Sequence, residues 1–162
     1  TNSAAGAIPR LIDMGVEPFL LVSTVRAIVG QRLVRKLCES KEAYSMDAAT
    51  RAKIAGTVEF DAAFKALADE KLVKKGSTLD DIPFYRPVPS PECEDGYKSR
   101  IGIHEVMTVS SAIREIILHS STSDAIEAQA KKEGMLTMLE DGLYKAARGT
   151  TSLEEVLRAI SE

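Results

Sequence analysis

Residues 83–91 read Pro-Phe-Tyr-Arg-Pro-Val-Pro-Ser-Pro, four prolines in nine positions. Each proline locks φ and lacks an N–H donor, which bars the stretch from helix and from a central strand. The stretch reads as a tether. It closes a section, residues 39–92, whose character differs from what lies on either side. Within that section "SMDAATRAKIAG" and "FDAAFKALADEKLVKKG" form two short amphipathic helix candidates. The second carries Phe60, Phe64, Leu67 and Val73 and ends in lysines before Gly76, as a helix C-terminus should.

Beyond the tether, "YKSRIGIHEVM" sets Ile101, Ile103, Glu105 and Met107 against Gly102, His104 and Val106, the clearest strand in the chain. Four short helices follow. "SSAIREIILHS" has a serine cap and a stripe of Ile113, Ile116 and Ile117, and "TSDAIEAQAKKEG" is stopped by Gly134. "TMLEDGLYKAARG" stops at Gly149. "TTSLEEVLRAISE" offers Thr151 or Ser152 as cap, acids in its first turn, and a stripe of Leu153, Val156, Leu157 and Ile160. Four such helices on short loops read as a small bundle.

Ahead of the section, Ser3 caps a helix with Ala4, Ala7, Ile8, Leu11 and Ile12, stopped by Gly15, with Pro9 at odds with its interior. Pro18 opens a second helix, continued by Phe19, Val22, Val25, Ile28 and Val29. The next piece, "QRLVRKLC", fits either a continuing helix through Leu33 and Leu37 or a strand face of Leu33, Arg35 and Leu37 after a break at Gly30. Periodicity admits both.

The 162 residues are enough for one ordinary domain or two small ones, and 44% hydrophobic with 28% charged residues is a globular composition. A net charge of −3 without aromatic-basic interleaving gives no footprint for nucleic acid. No apolar run is long enough for a membrane span. The opening "TNSAAGAIPRLIDMG" enters an apolar pattern without an initiator methionine, as a cut from a longer chain would. His104 on the strand and His119 near a helix end occupy structural positions, and no Ser, Asp or second His has a spacing that argues for a triad.

"TNSAAGAIPRLIDMGVEPFL", "QRLVRKLC", "GYKSRIGIHEVM", "GMLTMLEDGLYKAARG" and "TSLEEVLRAI" stand in an order that resembles the C-terminal portion of the type II secretion and type IV pilus assembly (extension) ATPases, GspE/PilB-like. The match is poor only from about 39 to 92. The resemblance implies a fragment of a hexameric cytoplasmic motor, peripheral at the inner membrane, that powers pilus assembly or secretion. It implies an α+β, mostly helical fold in three parts. Residues 1–37 would be the C-terminal piece of a RecA-like ATPase domain, and 38–97 an inserted subdomain in the place of a tetracysteine zinc subdomain. Residues 98–162 would be a returning strand and a C-terminal helical domain. Residues 31–37 and 100–106 would pair as antiparallel strands.

The resemblance places Thr1 and Asn2 at the tail of a histidine box, and Gln31 and Arg32 near nucleotide or a neighbouring subunit. Arg32, Arg35 and Lys36 form a basic cluster that reads equally as a solvated strand face or an intrachain salt bridge. No G-x-x-x-x-G-K-[ST] occurs, so the fragment is expected to be catalytically inactive; ATP and Mg²⁺ are implied for the parent protein only. Partners implied are the protein's own N-terminal ATPase domain and neighbouring subunits, with the membrane platform protein as a further contact. A stand-alone helical interaction module is the alternative reading.

The family pattern departs at the cysteines. Cys38 matches a first ligand, but Lys41 stands where the second belongs, Pro89 and Ser90 occupy the third, and Cys93 is displaced near the fourth. Structural zinc wants four sulfur or imidazole ligands. Residual metal binding and a disulfide are the alternatives for this pair. The expectation is two free thiols, vestiges of a lost site, brought close together at a hairpin tip, with a small apolar core of the two helices and of Phe84 and Tyr85 replacing the metal.

Overall fold

The computed structural model of the chain describes residues 3–55, 81–119 and 122–161. In chain order these form α1 (Ala4–Asp13), α2 (Pro18–Thr24), β1 (Ala27–Leu37), β2 (Lys41–Tyr44), α3 (Ala48–Ala55), β3 (Phe84–Pro87), β4 (Tyr97–Thr108), α4 (Ser111–His119), α5 (Ser123–Lys132), α6 (Met138–Ala147) and α7 (Leu153–Ser161). The architecture is α+β. The expected second helix of the insert, with Phe60, Phe64 and Leu67, lies outside the described residues.

β1 and β4 pair with each other, and β2 with β3, in two separate two-stranded sheets. The long ribbon is antiparallel. The amide of Val109, past the end of β4, reaches the carbonyl of Arg26 before β1, and the Cys38 amide at the other end of β1 reaches the carbonyl of Gly96. The expected pairing of 31–37 with 100–106 therefore lies inside a longer ladder. β1 starts earlier than expected. The helix predicted to run through Val25, Ile28 and Val29 stops at Thr24, and Gly30 sits within the strand. A strand glycine often marks close approach of another backbone. A Cβ at Gly30 would stand 3.1 Å from Met138 Cε and 3.6 Å from the Ala4 amide nitrogen.

The proline-rich stretch is not only a tether. Phe84–Pro87 pairs antiparallel with Lys41–Tyr44, Phe84 opposite Tyr44 and Pro87 opposite Lys41. Among the described residues this sheet has two strands, both of them edges, and Pro87 closes its strand, so its missing donor falls where no ladder bond is needed.

The chain divides into two compact units, residues 1–31 with 104–138 and residues 32–103 with 139–162. The first has a core in which Ala5 and Ile8 of α1 meet Met107 of β4, Ile113 and Ile117 of α4 and Ile126 of α5. Ser3 caps α1, accepting from the Gly6 amide, and Pro9 is accommodated inside that helix, where its ring removes one interior donor. The second unit has its own core, in which Ile54, Ile82 and Phe84 pack with Leu139, Leu143 and Val156. The four C-terminal helices thus do not form one bundle. α4 and α5 contribute to one core, α6 and α7 to the other, and Met46, Ile54, Ile82 and Phe84 share the core of α6 and α7. Gly142 in α6 is where Val156 of α7 presses closest; any Cβ there would collide with its methyls.

Candidate functional site

Arg35, on the second unit's part of β1, is the centre of its polar structure. Its guanidinium donates to Glu155 (2.7 Å) and to Asp95 (3.1 Å), and it lies 4.1 Å from the centroid of the Tyr97 ring. Its amide donates to the other Glu155 oxygen at 2.9 Å, and its carbonyl accepts from Thr151 Oγ1 at 2.7 Å. The bond to Glu155 raises the Arg35 pKa, against the opposing effect of burial. Of the two readings of the basic cluster, Arg35 takes the intrachain salt bridge.

Glu155 itself is 2% exposed. Burial pushes its carboxyl up, but the bonds from Arg35 and Arg158 outweigh that and hold it at about 2. It is the third residue of α7, at the helix end that favours an acid. The cap is resolved in favour of Ser152, whose Oγ accepts from the Glu155 amide and shares a 2.7 Å hydrogen bond with Tyr97. Thr151 serves β1 instead.

A second buried carboxylate lies in the first unit. Glu105 shares the buried face of β4 with Ile103 and Met107. Its two oxygens accept from the amides of Ala4 (2.6 Å) and Met138 (3.3 Å), the first residues of α1 and α6. The sequence carried a signal for it, an acid in register with isoleucine and methionine on a strand face.

Gln31 is exposed and Arg32 half-buried. As neighbours on a strand they face opposite sides of the ribbon. Thr1 and Asn2 lie outside the described residues. His104 sits on β4. His119 ends α4, its Nδ1 2.8 Å from the Glu115 carbonyl, a helix C-terminal position.

The cysteines differ from expectation in one respect. Residues 38 and 93 do meet at the tip of the ribbon, Cα to Cα 6.7 Å, but as a disulfide and not as free thiols. The strands that lead into them set the distance, and 6.7 Å lies within the span of a disulfide. Zinc does not fit this donor set. The two sulfurs are bonded to each other, and Lys41, at the second ligand position, donates its Nζ to the Gly149 carbonyl at 2.8 Å. Gly149 ends the turn after α6, so this cation satisfies an acceptor where a helix leaves one. Among the described residues no group of three or more His, Cys, Asp or Glu is placed to hold a metal ion. No helix among them is long and apolar enough to cross a membrane.

Residues 1–158 match the Type II/IV secretion system protein family. Type II secretion system protein E of Xanthomonas campestris pv. campestris is 40% identical over 162 residues, all of this chain and 26% of the relative. Type IV pilus assembly ATPase PilB of Pseudomonas aeruginosa is 37% identical over 167 residues, again all of this chain and 26% of the relative. Type II secretion system ATPase E of Vibrio cholerae is 38% identical over 164 residues, covering 28% of that protein. The chain spans about a quarter of the length of the curated relatives it matches.

Proposed function

The chain belongs to the Type II/IV secretion system protein family, and on that premise we propose that it is the C-terminal portion of a hexameric cytoplasmic motor ATPase for type IV pilus assembly or type II secretion. The observation that carries this reading is identity of 37–40% along the whole chain with secretion and pilus assembly proteins. In this reading residues 1–37 complete a RecA-like domain, 38–97 stand where relatives carry a zinc subdomain, and 98–162 return to the core and end in helices. Pairing of β1 with β4, with both cysteines at the tip, supports that division.

ATP and Mg²⁺ belong to the whole motor. The 162 residues contain no phosphate-binding loop, whose backbone amides and lysine hold the β- and γ-phosphates, so no catalytic step is derived from them. The chain's role is structural. It packs against its own ATPase domain and neighbouring subunits, with Gln31 and Arg32 near nucleotide or the next subunit, and with the membrane platform protein as a further contact. The assembled machine works in the cytoplasm, peripheral at the inner membrane.

Two measurements test this. A chimera in which this chain replaces the matching quarter of Pseudomonas aeruginosa PilB is expected to retain magnesium-dependent ATP hydrolysis. The isolated chain is expected to show none. Steady phosphate release that follows the isolated chain through gel filtration refutes the structural role, and a folded but inactive chimera refutes the motor assignment.

A further inference from the structure

The disulfide lies in the wall of a groove of about 690 Å³ in the second unit, lined also by Lys36, Lys98 and Arg100. Cys93 is 7% exposed, whereas Cys38 is half-buried and the more open of the two. Around them the chain crosses between the ribbon and the insert. Cys38 donates to Gly96, Val88 to Ser40, Gly96 to Cys93, and Ser90 and Cys93 exchange a pair of amide bonds. The covalent bond therefore closes a neck that is also held by these backbone hydrogen bonds and by the Arg35–Asp95 ion pair.

We propose that Cys38–Cys93 is a thiol-exchange site: a small thiol entering this groove attacks Cys38 Sγ and opens the tie that closes the insert. The incoming thiolate forms a new bond to Cys38 Sγ as the bond to Cys93 breaks. Cys93 leaves with the electron pair as a thiolate and takes a proton from water. A second molecule of the same thiol then attacks the mixed disulfide. Cys38 leaves as a thiolate and is protonated, and the two small thiols depart joined as their own disulfide. The net change is two-electron reduction of the protein and two-electron oxidation of the small thiol pair.

Attack at Cys38 follows from residue exposure, since both cysteines line the groove and Cys38 is the less buried of the two. The surroundings favour the thiolates on both sides of the step. Lys36, Lys98 and Arg100 supply three cations against two anions, Glu39 and Glu92, in the same wall. The consequence is local. Once the covalent tie is cut, the neck rests on these hydrogen bonds and the half-exposed Arg35–Asp95 pair and opens more often, while the core of the first unit is untouched.

The test uses the oxidised chain in native buffer with reduced glutathione as the thiol, alkylation as the trap, and peptide mass spectrometry with amide exchange as readouts. The expected results are opening without denaturant, a transient glutathione adduct on the Cys38 peptide, and at least severalfold faster exchange at the Cys38, Ser90, Cys93 and Gly96 amides with no change at Ile117 or Ala130. The double variant K98Q/R100Q is expected to open about threefold or more slowly at low salt, with the difference fading as salt rises. Opening only in denaturant, an adduct on Cys93, unchanged neck exchange after reduction, or equal rates in the double variant would each overturn the assignment.

Discussion

Each of the two compact units buries a glutamate near a helix start, and they satisfy it differently. In the first unit Glu105 is held only by backbone amides, those of Ala4 and Met138, so the carboxylate fixes where two helices begin. In the second, Glu155 is held by two arginines as well as an amide, so the carboxylate joins a strand to a helix through charge. The first arrangement has no cationic partner among the described residues. The second depends on protonation, because its strength comes from pairing with guanidinium groups.

The largest effect is expected from Glu155→Ala. It strands the Arg35 amide and removes the acceptor shared by Arg35 and Arg158. Loss of one partner of a buried pair is worth roughly 3–5 kcal/mol. Both arginine side chains are about half exposed and can turn to water, so about 3 kcal/mol is expected, read by urea unfolding. A loss below about 1 kcal/mol would mean that the charge network does not hold the second unit.

Acid should follow at nearly the same size. Glu155 titrates at about 2 in the folded chain against an ordinary 4.5, so the unfolded chain takes up the proton first as pH falls. The stabilisation is complete above 4.5 and is lost as pH drops towards 2, in total about 3 kcal/mol. Stability followed from pH 6 to 2 should show a fall in the wild type that is much smaller in Glu155→Gln. Parallel curves would show that other carboxylates govern acid unfolding.

Glu105→Gln keeps shape and sharpens the contrast. Its amide nitrogen must face one of two backbone donors, leaving that N–H without an acceptor, at a cost of about 2 kcal/mol. Hydrogen exchange should localise the loss to the starts of α1 and α6. An effect confined to the second unit would break the comparison. The smallest effect is expected from Lys41→Met, which removes the cation from the turn after α6 and should cost about 0.5 kcal/mol in thermal unfolding. A change above about 2 kcal/mol would show that Lys41 has taken over a larger share of the stability of the insert.

What was legible in the sequence was what is local. Ser3 and Ser152 cap the helices that follow them, and Gly15, Gly134 and Gly149 each adopt positive φ where a helix ends. The stretch "YKSRIGIHEVM", with its alternation from Ile101 to Met107, marks nearly the whole of Tyr97–Thr108, but the start of β1 is not legible there. Val25, Ile28 and Val29 fit a helix as well as a strand, and the bond that decides between them joins Arg26 to Val109. The polar centre was hidden for the same reason, since Arg35 and Glu155 are 120 positions apart. The prolines mislead because their prohibition applies to central strands, and among the described residues β3 has a partner on one side only. The free-thiol expectation rests on a count of two cysteines, too few for a secreted disulfide framework, whereas the pairing follows from the strands that deliver Cys38 and Cys93 to one place.

Residues 38 and 93 lie 6.7 Å apart, Cα to Cα, and that spacing bears on how the sequence between them can evolve. A loop that leaves and re-enters a fold at adjacent points can change length cheaply, because closing it costs only about 0.6 kcal/mol more for each doubling. Insertions and deletions between residues 39 and 92 should therefore be tolerated by the ribbon. They are constrained instead by a few anchor positions, Ile54, Ile82 and Phe84, which fill the core against Leu139 and Leu143. A lineage could change the length or surface of this section, provided those anchors continue to reach the same two helices.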